Sequence, residues 1–263
     1  MPEDTHKTIH SHLFVAKTGL GKSFKANQVL KKALKHVPKE NRYLVSPTAK
    51  SDMDDTLMGE FHEDQVQEKL TAEYIDAFLL MIKDIREKVK EDFLYRYDGD
   101  FNKIKRKHPK GAKPDYPEFV LMLDDSITQL GGGKRSIDSL MALLTKNRHY
   151  KIHVLLTSQY YMAVNPVIRT NTKILYFWSC NNKELNKIAD EVNVFSNKDD
   201  FKEYFKFITS KPYGCFMVNY NHRGKKIYDD NEFTFEEFKV LKDEDLLSDY
   251  DTEDEEDIYY QRG

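Results

Sequence analysis

The segment AKTGLGKS, Ala16 to Ser23, gathers two glycines, a lysine and a hydroxyl within one short stretch. Phosphate chemistry needs those residue types in that order. Gly19 and Gly21 let the backbone fold tightly enough for its N–H groups to point inward at phosphate oxygens. Lys22 can then reach the β- and γ-phosphates of a nucleoside triphosphate, and the Ser23 hydroxyl can ligate Mg²⁺. The spacing is G-x-x-x-x-G-K-[ST], with Ala16 in place of the first glycine. A methyl group is tolerable there, at a strand end, if its φ is negative. Thr18, Leu20 and Phe24 complete the expected nucleotide-binding set of Thr18 to Phe24. A Gly-Lys-Ser turn also arises by chance. Here an apolar run precedes it and a helical pattern follows, the context the motif requires, and the helix adds its N-terminal partial charge.

Two further segments carry chemistry. In FVLMLDD, Phe119 to Asp125, an apolar run delivers two adjacent carboxylates at its carboxyl end, the ligand side of an open α/β sheet. Asp124 is expected to hold Mg²⁺ and Asp125 to polarise the attacking water as a general base. By itself a strand-end Asp pair more often caps the next helix. In IHVLLTSQ, Ile152 to Gln159, a buried run ends in Thr157, Ser158 and Gln159. The glutamine can hydrogen-bond a γ-phosphate or a water, and the bland alternative is a capping serine beside an exposed glutamine.

These segments need a scaffold, and the pattern of apolar runs supplies one. Runs at 11–16, 42–46, 118–123, 152–157 and 174–178 are short, near-continuously apolar and bounded by polar breakers, as suits strands buried on both faces of a parallel sheet. Helical patterns lie between them, from Lys22 to about His36 and over Ser136–Thr145. The expectation is an α/β fold of right-handed βαβ units, mainly parallel, with helices on both faces. Segments 214–221 and 226–228, joined through NHRG, read as a C-terminal hairpin. Residues 51–116 form a charged, largely helical insert. Within it, 63–93 repeats apolar residues at helical spacing: Val66, Leu70, Tyr74, Phe78, Ile82, Ile85 and Val89.

Composition narrows the function. The formal net charge is -3, which alone argues against a polyanionic partner. Residues 243–263 hold ten acidic side chains and one basic one, however, leaving a net of +6 in 1–242. The chain divides into a mildly basic 1–242 domain and an acidic tail too poor in apolar residues to pack. That tail is plain solvated chain, a DNA mimic screening the basic body, or a ligand for a basic partner. The stretch 103–113, KIKRKHPKGAK, holds six basic and no acidic residues. It is either a DNA-facing loop, binding phosphates without sequence preference, or a solvated loop. Gly131–Arg135 reads as a mobile segment or linker, with Lys134 and Arg135 able to touch DNA, and 222–226 as a basic hairpin turn. No apolar run approaches a membrane span, and MPEDTHKTIH lacks a signal core. Cys180 and Cys215 are too few for a disulfide framework or a four-thiolate zinc site and read as half-buried thiols in a reducing compartment. His6, His10 and His12 read as an exposed N-terminal segment, and Asp52, Asp54 and Asp55 as helix-start acids.

AKTGLGKS, VLMLDD, NRHYKIHVLLTSQ and NPVIRTNTKILYFW follow one another in a specific order. Over roughly residues 11–180 the chain resembles the DNA-packaging ATPases of the poxvirus-type branch of the FtsK–HerA superfamily, which also serves virophages. The resemblance implies a RecA-like P-loop NTPase core using ATP and Mg²⁺. It implies a homo-oligomeric ring that pumps double-stranded DNA, without sequence specificity, into a preformed capsid. Partners would be DNA and capsid or portal-vertex proteins, in host cytoplasm or a viral factory, with transient virion association and no membrane. By resemblance Lys22 and Ser23 bind nucleotide and Mg²⁺, Asp124 is the Walker B aspartate, Asp125 the catalytic carboxylate and Gln159 the sensor. Arg148 is the arginine finger and Arg169 the second candidate. Many related motors carry glutamate at the position of Asp125. The insert, hairpin and tail have no counterpart. Two other classes compete: a nucleotide or small-molecule kinase on the same phosphate loop, and a nucleotide-gated assembly protein without sustained turnover.

Overall fold

In a computed structural model, residues 9–49, 55–97, 99, 101–107, 113–130, 133–192, 197–220, 226–229 and 239 are described. The first apolar run forms β1 (Ser11–Val15), buried throughout. The phosphate loop follows and leads into α1 (Lys22–Gln28), which continues as a π-helical stretch over Val29–Ala33. Then come β2 (Arg42–Val45), the short α2 (Asp55–Met58), β3 (Val66–Gln67), the long α3 (Ala72–Tyr95) and α4 (Phe101–Lys107). The second half runs β4 (Phe119–Leu123), α5 (Lys134–Tyr150), β5 (Ile152–Ser158), α6 (Pro166–Asn171) and β6 (Ile174–Phe177). It ends with α7 (Asn182–Val192), α8 (Lys198–Ser210), β7 (Phe216–Asn219) and β8 (Lys226–Asp229).

The eight strands form one sheet in the order β3-β2-β4-β5-β1-β6-β7-β8. The first six in that order run parallel, while β7 and β8 close the far edge antiparallel, as the expected hairpin. Alternate residues of the same strands feed opposite cores. Leu13, Val15, Leu121, Leu123, Val154 and Leu156 pack with α3, α5, α7 and α8. Phe14, Leu44, Val120, Met122, Leu155 and Tyr176 pack with Ala26, Val29 and Leu30 on the other face. Helices therefore cover both faces, and the ends of β4, β5 and β1 meet at one edge.

Three readings need correction. The expected helix over 63–93 begins only at Ala72, where the Thr71 hydroxyl accepts from Tyr74 N (3.1 Å) and caps it. Residues before it are drawn into the sheet instead: Val66 and Gln67 pair with Leu44 and Val45 as edge strand β3. Tertiary pairing overrides helical spacing there. Second, the helix over 136–145 extends to Lys134–Tyr150. Third, His10 and His12 are buried at the start of β1, not exposed. Cys215 is buried and Cys180 half-buried, both as free thiols. His6, Asp52, Asp54, 108–112, Gly131, Gly132, 222–225 and the acidic tail 243–263 lie outside the described residues. No described helix is long and apolar enough to cross a membrane.

Candidate active site

The phosphate loop leaves the end of β1 anchored, since Ala16 N donates to Ser158 O (3.1 Å) on β5. Among the described residues Ala16 does not have a positive φ, so its methyl group is accommodated. Gly19 (φ 86) and Gly21 (φ 92) are left-handed, and no atom lies within 4 Å of where a Gly19 Cβ would stand. Both glycines therefore hold a backbone conformation that side chains rarely adopt, beside open space at Gly19. Thr18 and Phe24 are exposed, while Leu20 and Ser23 are half-buried.

Lys22 follows Gly21 as the first residue of α1 and reaches toward the end of β4. Its Nζ donates to both carboxylate oxygens of Asp125, at 2.8 and 2.7 Å. The lysine side chain is 7% exposed and the aspartate 31%. Asp125 itself has φ 42, a left-handed conformation just past the end of β4. Its backbone N–H donates to Thr157 Oγ1 (2.9 Å), and Gln159 Nε2 lies 3.5 Å from Asp125 Oδ2.

Asp124 is buried between two neighbouring strands. The Thr157 hydroxyl donates to its Oδ1 (2.7 Å) and the Ser46 hydroxyl to its Oδ2 (3.0 Å), while its backbone N–H donates to Val45 O. Burial pushes its pKa above the ordinary aspartate value, against the opposing hydrogen bond from Thr157. The carboxylate is thus held by neutral hydroxyls and kept in a poorly solvated place, where a cation is strongly attracted. With the Ser23 hydroxyl it offers the hard oxygen donors that Mg²⁺ prefers.

The fold brings Lys22, Asp124, Asp125 and Gln159 together. It does not bring either arginine to them. Arg148 is exposed in the last turn of α5, at the edge where β5 begins. The seven residues of β5 separate that edge from Gln159 by about 23 Å. Arg169 is buried and fully engaged within the chain. Its Nε and Nη2 donate to Glu191 (2.8 and 2.7 Å), and its Nη1 to Val164 O (2.5 Å) and Tyr161 O (3.4 Å). The guanidinium also lies 4.8 Å from the Tyr161 ring centroid. That environment ties the stretch after Gln159 to α7 through the Arg169 guanidinium. Arg135 is exposed and pairs at the surface with Glu73 (2.9 Å) on α3.

Sequence reasoning missed Ser46 and Tyr213 and gave Thr157 no role. Ser46 and Thr157 could have been found, because one follows β2 directly and the other is the last residue but one of β5, both beside the Asp pair. Tyr213 could not: it lies between α8 and β7, 192 positions after Gly21. It is 75% exposed with φ 59, and its Cδ1 lies 3.5 Å from where a Gly21 Cβ would be. An exposed tyrosine in a left-handed conformation is costly, and it stands over the phosphate loop.

No protein-family model matches the chain. One protein of Acanthamoeba polyphaga mimivirus, described as uncharacterized protein L437, is 25% identical over 166 residues. The match covers 63% of this chain and 51% of the relative, so the chain spans about half the relative's length. Among solved structures, the genome packaging NTPase B204 from Sulfolobus turreted icosahedral virus 2, in complex with sulfate, superposes with a TM-score of 0.50. It is 17% identical, over 84% of this chain and 96% of that one. EssC (ATPases 2 and 3) from Geobacillus thermodenitrificans superposes with a TM-score of 0.49 at 16% identity, over 92% of this chain and 44% of that one. The first likeness shows the fold: the chain has the RecA-like P-loop NTPase architecture expected of it.

Proposed function

We propose that this chain hydrolyses ATP and uses the energy to translocate double-stranded DNA, packaging a viral or virophage genome into a preformed capsid. The observation that carries the reading is the convergence of Lys22, Asp124, Asp125, Thr157 and Gln159 beside a loop with two left-handed glycines at the carboxyl edge of the sheet. The description of the structural neighbour as a genome packaging NTPase supports the same role.

The residues suggest the order of events. Before nucleotide arrives, Lys22 neutralises Asp125. A triphosphate in the loop competes for the lysine, and Lys22 turns from carboxylate to phosphate oxygens. Asp125 is then free to accept a proton from a water placed by Gln159. The water oxygen bonds to the γ-phosphorus, the bond to the β–γ bridging oxygen breaks, and ADP and phosphate result. Ser23 and Asp124 would hold Mg²⁺, which supplies charge neutralisation on the phosphates. Tyr213 and Phe24 offer exposed ring faces beside the loop for the base.

Arg148 belongs to the neighbour's site in this scheme. It is exposed, and too far from its own phosphate loop to act there. A ring of head-to-tail contacts would bring it to the next subunit, where a guanidinium stabilises transition-state charge. The +6 body, repeated around the ring, and the basic stretch 103–113 would face DNA.

Phosphate release with and without duplex DNA tests the proposal. Lys22→Ala should abolish turnover. Arg148→Ala should lower kcat without weakening ATP binding, and mixed into wild type it should inhibit beyond simple dilution. Monomeric hydrolysis indifferent to DNA would overturn the translocase reading.

A further inference from the structure

The edge of the sheet away from the phosphate loop gathers histidines. The chain has nine, and four of them come together there. His10 and His12 begin β1 with their rings 6.1 Å apart. His153 begins β5, and one residue before the paired Ser11 and Val154 it stands beside His10. His36 lies in the turn after the helical stretch that follows the phosphate loop, its ring edge-on to that of His153 at 6.1 Å. A single carboxylate completes the group. Val120 pairs with His153, so Glu118, two residues earlier on β4's lead-in, falls on the same face.

The distances are those of a coordination shell. Glu118 Oε2 lies 2.8 Å from His36 Nε2 and 3.3 Å from His153 Nε2. One ligand atom from each of the three residues lies within 4.8 Å of the others. Metal–ligand bonds of about 2.0–2.1 Å at tetrahedral angles set ligand atoms about 3.3 Å apart. The imidazole of His153 is 2% exposed, and its Nδ1 makes no hydrogen bond.

We propose that His36, Glu118 and His153 bind a divalent transition-metal ion, Zn²⁺ or a first-row ion of similar preference. Two imidazoles and one carboxylate suit zinc and not Mg²⁺ or Ca²⁺, which take oxygen shells. Three protein ligands leave a fourth position for water, on the side where His36 is 44% exposed. The ligands come from three separate segments. A bound ion would cross-link the turn beyond α1 to the starts of β4 and β5, the strands whose other ends carry Asp124, Asp125 and Gln159. The site is distinct from that of the nucleotide.

The test uses the full chain, free of any affinity tag and stripped with chelator. Titrated Co²⁺ should give a visible absorption band that saturates at one ion per chain and is displaced by Zn²⁺ but not by excess Mg²⁺. His36→Ala and Glu118→Gln should each weaken Zn²⁺ binding by more than about tenfold, and should remove the rise in melting temperature that Zn²⁺ gives wild type. His36 is exposed enough for its loss to leave the fold intact. Lys22→Ala and His62→Ala should bind Zn²⁺ as wild type does, His62 lying outside the cluster. No band, or affinity unchanged in both His36→Ala and Glu118→Gln, would show two histidines hydrogen-bonded to a glutamate and nothing more.

Discussion

Replacing Asp125 with asparagine should strengthen ATP binding while it stops turnover. The two effects separate because Asp125 has two jobs in the proposed mechanism. In the free protein it is the counter-ion of Lys22, bonded through both oxygens. Exposed ion pairs contribute about 0.2–1 kcal/mol, and breaking a fully buried one costs about 3–5. With Lys22 at 7% and Asp125 at 31% exposure, this pair falls between, at about 2 kcal/mol. ATP must displace that interaction, so removing it should tighten binding by about thirtyfold. Asparagine tolerates the left-handed backbone of residue 125, φ 42, and the turn should survive. The unliganded variant should lose about the same 2 kcal/mol, because Lys22 is left buried without its partner. Loss of the general base should lower kcat by roughly 10²–10⁴-fold. Calorimetric titration with a non-hydrolysable ATP analogue, set beside phosphate release, reads both quantities. If Asp125→Asn binds the analogue no more tightly than wild type, the lysine is not held back by Asp125 and the reasoning fails.

Other changes probe the surrounding supports. Thr157→Val removes one hydroxyl that serves both aspartates, and should cost about 1–3 kcal/mol in urea unfolding with a fall in kcat. Arg169→Met should destabilise by roughly 2–3 kcal/mol, leaving the Val164 carbonyl without its guanidinium donor and Glu191 held by Lys187 and Tyr161 alone. It should not reproduce the mixing inhibition expected of Arg148→Ala. Burial would raise the Glu191 pKa, but bonds from Arg169, Lys187 and Tyr161 hold it down at about 2. A depressed carboxylate stabilises above its unfolded value of 4.5 and loses that contribution as pH falls toward 2. Melting temperature should therefore drop across that window, and less steeply in Arg169→Met.

The sheet was legible because each buried strand is a dense apolar run ended by a breaker, and the phosphate loop because its chemistry is local. FVLMLDD and IHVLLTSQ were readable for the same reason: strand and functional side chains are adjacent in sequence. What the sequence concealed depends on distant neighbours. Val66 and Gln67 form a strand only because β2 is there to pair with them. Arg169 looks like a free cation in NPVIRTN until Glu191 is placed against it. Tyr213 and the His36–Glu118–His153 group join residues whose separations carry no pattern.

Thr157 has one proton and sits at a joint. Its oxygen receives the amide of Asp125 while its hydrogen goes to Asp124, so the two residues that follow β4 are pinned through one atom of β5. The next residues along β5 lead directly to Gln159. A sliding of β5 against β4 by even an ångström would disturb both bonds at once and carry the glutamine with it. The site is thus wired as a shear gauge. In the proposed mechanism, force applied to the sheet along its strands would register at Asp124, Asp125 and Gln159 in a single movement.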